Sequence, residues 1–199
     1  MRWQNSHCRY RQMSAKTWQR VVGGVFMKKS VLFSLVAILL LSLLVAGCGD
    51  EPTAEQKQKD MDKVFTQLAE QLTRFAKASP QLLKISSDYK NKSIDAAQAR
   101  KNMMAMGDQY GDIAANFKKI AAPQWFSSDN KTKFEEMKKQ YVEANEAMKE
   151  FVPIYVKIMI DDKGTKDDLA KLKEYEAIRN DRAKKGAELF SHFEKGGWK

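Results

Sequence analysis

The chain has 199 residues, which leaves room for one domain of ordinary size. Its net charge of +10 would suit a binder of nucleic acid or anionic surfaces, but the first 47 residues hold seven of the 35 basic residues and none of the 25 acidic ones. The remaining 152 residues carry only +3, an ordinary solvated surface that gives no reason to expect nucleic acid as a partner. The two cysteines divide the same way, Cys8 early and Cys48 at the border, so residues 49–199 have no disulfide, catalytic thiol or thiolate metal site.

Residues 1–26 are polar, basic and aperiodic. They read either as a long charged start to an export signal or as sequence upstream of a true start at Met27. The second reading is favoured, because Met27-Lys28-Lys29 already supplies a complete charged start. Trp3, Tyr10 and Trp18 on this arm could stack on nucleic acid, but the arm would be discarded or stranded at a membrane. Val31 to Ala46 then form an apolar run of 16 residues, broken only by Ser34 and Ser42. A secretory apolar region has about 7–15 residues and a spanning helix roughly 17–25, so length alone leaves this run on the border.

The residues at the end of the run decide the matter. In Val45-Ala46-Gly47-Cys48, small or branched residues and a glycine precede a cysteine, an arrangement that suits a peptidase needing an extended, uncrowded backbone. Residues 27–48 resemble the signal peptide and lipobox of a bacterial lipoprotein. That resemblance implies cleavage ahead of Cys48, with Val45, Ala46 and Gly47 as the peptidase recognition residues and lipid on Cys48. It also implies anchorage to the cell membrane on its outer, extracytoplasmic face. An uncleaved signal anchor with a cysteine at the membrane face is the competing reading. Each buried methylene of an acyl chain contributes about 0.8 kcal/mol, so a diacylglyceryl group holds far better than a single chain. The expected organisation is a leader over 1–47 (signal peptide 27–47), a lipidated cysteine and polar tether over 48–53, and a helical domain over 54–195.

Every long segment after the tether has helical periodicity, and none alternates as a strand does. Thr53 to Lys90 place Met61, Val64, Phe65, Leu68, Leu72 and Phe75 on one face, with Pro80 predicting a kink in one helix, and a break into two helices as the second reading. Asp95 with Gln98 predicts a capped start for a second helix, whose stripe is Ala99, Met103, Met106, Tyr110, Ile113, Phe117 and Ile120. Gly107 and Gly111 would let a neighbouring helix come close to this one. After Pro123 and an aromatic connection, Ser128 or Asp129 caps a third helix with the stripe Phe134, Met137, Tyr141, Ala144, Met148, Phe151, Tyr155 and Ile158, kinked at Pro153. Thr165 with Asp168 opens a fourth, carrying Leu169, Leu172, Tyr175, Ile178, Ala183, Phe190 and Phe193. Four long helices with short connections predict an all-α, antiparallel four-helix bundle of up-down-up-down topology. A helix ending in Lys119-Ile120-Ala121-Ala122-Pro123, an aromatic loop and another long helix is also similar to many small helical lipoproteins of bacteria. Over residues 95–160 that likeness is a general pattern, which implies fold and location and no activity.

Chemistry is sparse. His192 is the only histidine after residue 47 and sits near the C-terminus, where a surface or boundary role is expected. There is no phosphate-cradling glycine loop and no helical histidine pair to hold zinc. Met103, Met104, Met106, Met137, Met148 and Met159 could offer thioethers to Cu(I), but most lie on core stripes, where methionine fills gaps. Asp161, Asp162, Asp167 and Asp168 flank a glycine turn without the alternation a calcium loop needs. Tyr110, Tyr141, Tyr155 and Tyr175 could line a pocket, although core tyrosines more often reach partners at a bundle rim. No enzyme, metal or cofactor is expected. The reading is a membrane-tethered, non-enzymatic interaction module that binds a protein or other component of the cell envelope, the sequence leaving that partner unidentified. The alternative is a carrier of a small molecule or metal in a pocket between the helices. A large cavity lined by tyrosines and methionines would favour the carrier. A filled core with an aromatic patch near Trp125, Phe126 or Trp198 would favour the interaction module.

Overall fold

Each helix of this protein begins where a side chain takes up a backbone N–H that no helical carbonyl can reach. The computed structural model describes residues 52–198, which form four helices and no strand. Helix α1 (Ala54–Lys90) starts at Thr53, whose Oγ1 accepts from Gln56 N at 3.2 Å while Gln56 Oε1 accepts from Thr53 N at 3.3 Å. Helix α2 (Ala96–Lys119) starts at Asp95, which accepts from Gln98 N at 2.7 Å. The expected return bond is not made there, because the Gln98 amide donates to Asn102 instead. Helix α3 (Ser128–Met159) is capped by Ser127, ahead of the expected Ser128 or Asp129. The turn closed by Phe126 N–H on the Pro123 carbonyl at 3.1 Å releases the chain at Ser127, whose ψ of 160° keeps it outside the helix. Helix α4 (Lys166–Glu194) has the expected Thr165–Asp168 capping box and stops before Gly196, whose φ of 82° favours glycine.

Neither proline divides its helix: α1 runs unbroken through Pro80 and α3 through Pro153. Both prolines are exposed, and Ala76, the residue whose carbonyl loses its partner at Pro80, is exposed as well. A freed carbonyl on the outer face can bond to water, so the penalty that would end a buried helix is reduced.

Contacts between named residues give the topology. Ser79 and Phe75 of α1 meet Tyr110 of α2, Phe117 of α2 stacks on Tyr141 of α3, and Phe134 of α3 meets Phe193 of α4. At the other end Arg100 pairs with Asp161, and Lys157 with Asp168 at 2.7 Å. Across the closing seam Phe65 meets Phe190, while Ser79 meets Arg179. Rising numbers on one helix meet falling numbers on the next at every step, which is the up-down-up-down antiparallel bundle.

Burial is uneven. Helix α3 packs on both α2 and α4, and it buries residues around most of its circumference, from Phe134 and Met137 to Phe151, Val152 and Val156. Helix α4 buries only Leu172, Gly186 and Phe193, so most of its expected stripe (Leu169, Tyr175, Ile178, Ala183, Phe190) lies half-exposed. The backbones of α1 and α4 do not pack closely; large side chains span the seam.

Two glycines are placed differently in this packing. A Cβ on Gly107 would sit 3.5 Å from Val152, an ordinary contact, whereas one on Gly186 would sit 2.9 Å from the Tyr141 ring, itself stacked on Phe117 at 5.1 Å. Both changes to alanine gain about 1 kcal/mol of helix propensity. Overpacking costs typically 1–3 kcal/mol, about enough to outweigh that gain at Gly186 but not at Gly107. Gly107→Ala should therefore raise the urea midpoint and Gly186→Ala should lower it. If both rise, the close approach of α4 to Tyr141 is refuted.

Candidate functional site

Two places in the bundle bring chemistry-bearing side chains together: a polar layer between helices, and one end where aromatic residues and lysines gather.

The polar layer is built from α1. Its buried face keeps helical spacing (Met61, Val64, Leu68, Gln71, Phe75, Ala78, Ser79, Leu82, Ser86), but three of these positions are polar. A buried polar atom without a partner costs about 1–3 kcal/mol, so each needs an answering group. Ser79 Oγ lies 3.1 Å from Tyr110 Oη of α2 and accepts from Arg179 Nη2 of α4 at 3.1 Å. Ser86 Oγ lies 2.9 Å from Tyr155 Oη of α3. Gln71 Oε1 accepts from Arg74 Nη1 at 3.1 Å and from Asn116 Nδ2 of α2 at 3.5 Å. The Arg179 guanidinium also lies 5.6 Å from the Phe75 ring centre. In this way α1 is tied to each of the other helices in turn.

The electrostatics keep these groups in their ordinary protonation states. Burial pushes the Tyr110 phenol above its usual pKa, offset in part by the Ser79 bond and the Arg179 charge. Burial raises Tyr155 likewise, offset by Ser86. Tyr141 is raised by burial and further by Glu194. Burial also pushes the Arg179 guanidinium down from its ordinary value and the Glu176 carboxyl up, while their mutual attraction opposes both. Neutral phenols bonded to serines fix the positions of helices; they are not poised as bases. Asn145 is fully buried and donates to the Tyr141 carbonyl at 2.8 Å, but its Oδ1 meets no donor among the described residues.

The second place is the end of the bundle formed by the start of α1, the α2–α3 connection and the end of α4. Phe126 stacks on Phe193 with ring centres 5.7 Å apart, and Phe134 meets both edge-on. Trp125 lies over Phe126 at 4.9 Å and against Trp198 at 5.7 Å. Its indole N–H donates to Asp60 at 2.9 Å, and the Lys57 ammonium sits 5.7 Å from its ring centre. Phe126 and Phe193 are buried, whereas the two tryptophans are half-exposed. Beside them is an open groove of about 460 Å³, lined by Lys118, Lys119, Lys131 and Lys138 with a single acid, Glu135.

The residues singled out in the sequence fare unequally. Val45, Ala46, Gly47 and Cys48, with the whole leader, lie outside the described residues. Met103, Met106, Met137 and Met148 are core fillers, while Met104 is exposed and Met159 half-buried, so the six do not form one thioether site. Asp161 is engaged by Arg100. Asp168 is held down to about 2 by donation from Lys157 and from the Thr165 N–H and hydroxyl. No three carboxylates or histidines converge as metal ligands among the described residues. His192 is half-buried at the boundary, its ring packed against Gly197. Tyr110 and Tyr155 reach serines inside the bundle, not the rim. The sequence reading missed Gln71, Ser79, Ser86 and Arg179. The signal for the first three was present, since they continue the three-and-four spacing of the α1 stripe. Comparison with protein-family models, curated proteins and solved structures finds no match to this chain.

Two measurements test the layer. Ser79→Ala removes the partner of a buried phenol and should cost about 1–3 kcal/mol, and adding Tyr110→Phe should recover about 1 kcal/mol of it; simple additivity would show that the bond is not coupled. The three raised tyrosines also make the fold alkali-sensitive. Below pH about 10 they are neutral folded or unfolded, and above it the unfolded chain loses protons first. Stability should therefore fall above pH about 10 by about 1.4 kcal/mol per pH unit for each such tyrosine, until the folded pKa is reached. Urea titrations across this range should show a shallower slope for Tyr155→Phe than for the parent. An unchanged slope removes Tyr155 from the effect.

Proposed function

We propose that this protein is an extracytoplasmic lipoprotein, tethered to a membrane by lipid on Cys48, whose helical bundle acts as a non-enzymatic binding or interaction module of the cell envelope. The observation that carries the reading is Val45-Ala46-Gly47-Cys48 at the end of an apolar run, standing five residues ahead of the Thr53 cap that opens α1.

The interior supports an interaction module over a carrier. Most of the tyrosines and methionines that would have lined a ligand cavity are packed or bonded to neighbours. Tyr110, Met103, Met137 and Met148 are essentially inaccessible. The groove beside Glu135 is open to solvent between the end of α2 and the start of α3, not an enclosed cavity in the bundle core. The half-exposed Trp125 and Trp198 are the aromatic surface that an interaction module would present. None of the described helices is long and apolar enough to cross a membrane.

The tether is tested by mass spectrometry of the protein from a bacterial membrane. The expected N-terminus is Cys48 carrying acyl chains, and Cys48→Ser should leave an uncleaved chain without acyl chains. An intact unlipidated N-terminus on the parent protein would overturn the reading. In-membrane cross-linking then identifies the partner.

A further inference from the structure

We infer that the end of the bundle nearest Cys48 is itself a membrane-contact surface, built to rest on anionic phospholipid headgroups. The inference rests on the proposed tether at Cys48. Only residues 49–53 separate that cysteine from the first turn of α1, and five extended residues reach about 18 Å at most. The start of α1, the α2–α3 connection and the end of α4 would therefore be held close to the bilayer surface.

The chemistry of this end matches that surface. The chain has four tryptophans, and the two beyond the leader, Trp125 and Trp198, are both here and in contact. Half-exposed tryptophans, apolar in the ring and polar at the N–H, settle at the headgroup level of membranes. Beside them Lys119 and Lys131 line the groove and make no ion pair among the described residues. Lys118 and Lys138 line it too, although each shares its charge with an acid, Glu146 and Glu135. The connections of the opposite end, residues 91–95 and 160–165, carry Lys92 and Lys163 with Asp95, Asp161 and Asp162, and no aromatic residue. Both indoles of residues 52–198 thus stand at the end beside the anchor, next to the lysine-lined groove. A few lysines bind a membrane weakly from solution, but a tether holds them at the surface continuously, where they set orientation. The bundle would stand on its end with its helices steep to the bilayer.

The test supplies the tether chemically, so that it does not depend on whether the cell lipidates Cys48. A chain of residues 48–199 contains the whole bundle, a compact unit from Asp50 onward, and a single thiol. Coupling Cys48 to a maleimide phospholipid anchors it in vesicles of phosphatidylcholine alone or mixed with phosphatidylglycerol. Both tryptophans report from the contact surface. In the anionic vesicles their emission should shift to the blue and be quenched by brominated lipid, and added salt should reverse both changes. In neutral vesicles neither should occur. Lys119→Glu with Lys131→Glu, at unchanged helical circular dichroism, should abolish the difference. Equal emission in the two vesicle types, or salt-insensitive quenching, would overturn the contact surface without touching the lipidation reading, which stands or falls on the mass of the native N-terminus.

Discussion

The bond set at Ser79 is the constraint on which the rest of the bundle depends. Helix α1 has no close backbone neighbour on its α4 side, and its buried face carries polar side chains in the middle of an apolar stripe. Ser79 answers this by meeting Tyr110 of α2 and Arg179 of α4 at 3.1 Å each. A sliding of α1 by one turn would break the Ser79 bonds to the Tyr110 phenol and to Arg179, at about 1–3 kcal/mol for each buried group left unsatisfied. Apolar contacts alone would tolerate that slide far better, because methionine and leucine stripes repeat. The polar rungs at Gln71, Ser79 and Ser86 therefore select one register, much as single polar positions do in coiled coils.

The two ends of the bundle then acquire separate characters. With the register set, Trp125 comes to rest between Asp60, Lys57 and Trp198, and the aromatic cluster around Phe126 and Phe193 seals the core. The far end is closed by ion pairs instead, Arg100 with Asp161 and Lys157 with Asp168. One end is sealed by stacked rings with lysines around them, the other by acids neutralised in place. A protein tethered through a few residues at the first end would present the second to whatever lies beyond the membrane.

Most of the helices were legible from sequence because each is announced locally. Capping residues, apolar steps of three and four, and terminal glycines act within a few residues. Thr165 with Asp168 and the stripe from Ala99 to Phe117 were accordingly read correctly. The single helix favoured through Pro80 formed as expected. The two misses share a cause. The α4 stripe was judged too buried because half of it lies along the open seam beside α1. The polar positions of α1 went unnoticed because an apolar stripe is found by its hydrophobic members, and Ser79 and Ser86 drop out of such a pattern.

The sequence by itself determined that the described residues form four helices and, to within a residue or so, where they start, since short-range patterns suffice for both. The tertiary structure decided which serine meets which tyrosine, that Arg179 reaches across to α1, and that Trp125 and Trp198 share one end. Those pairings join residues up to 100 positions apart along the chain. They depend on register and on the shape of the gap between helices, which exist only after the four stripes have packed.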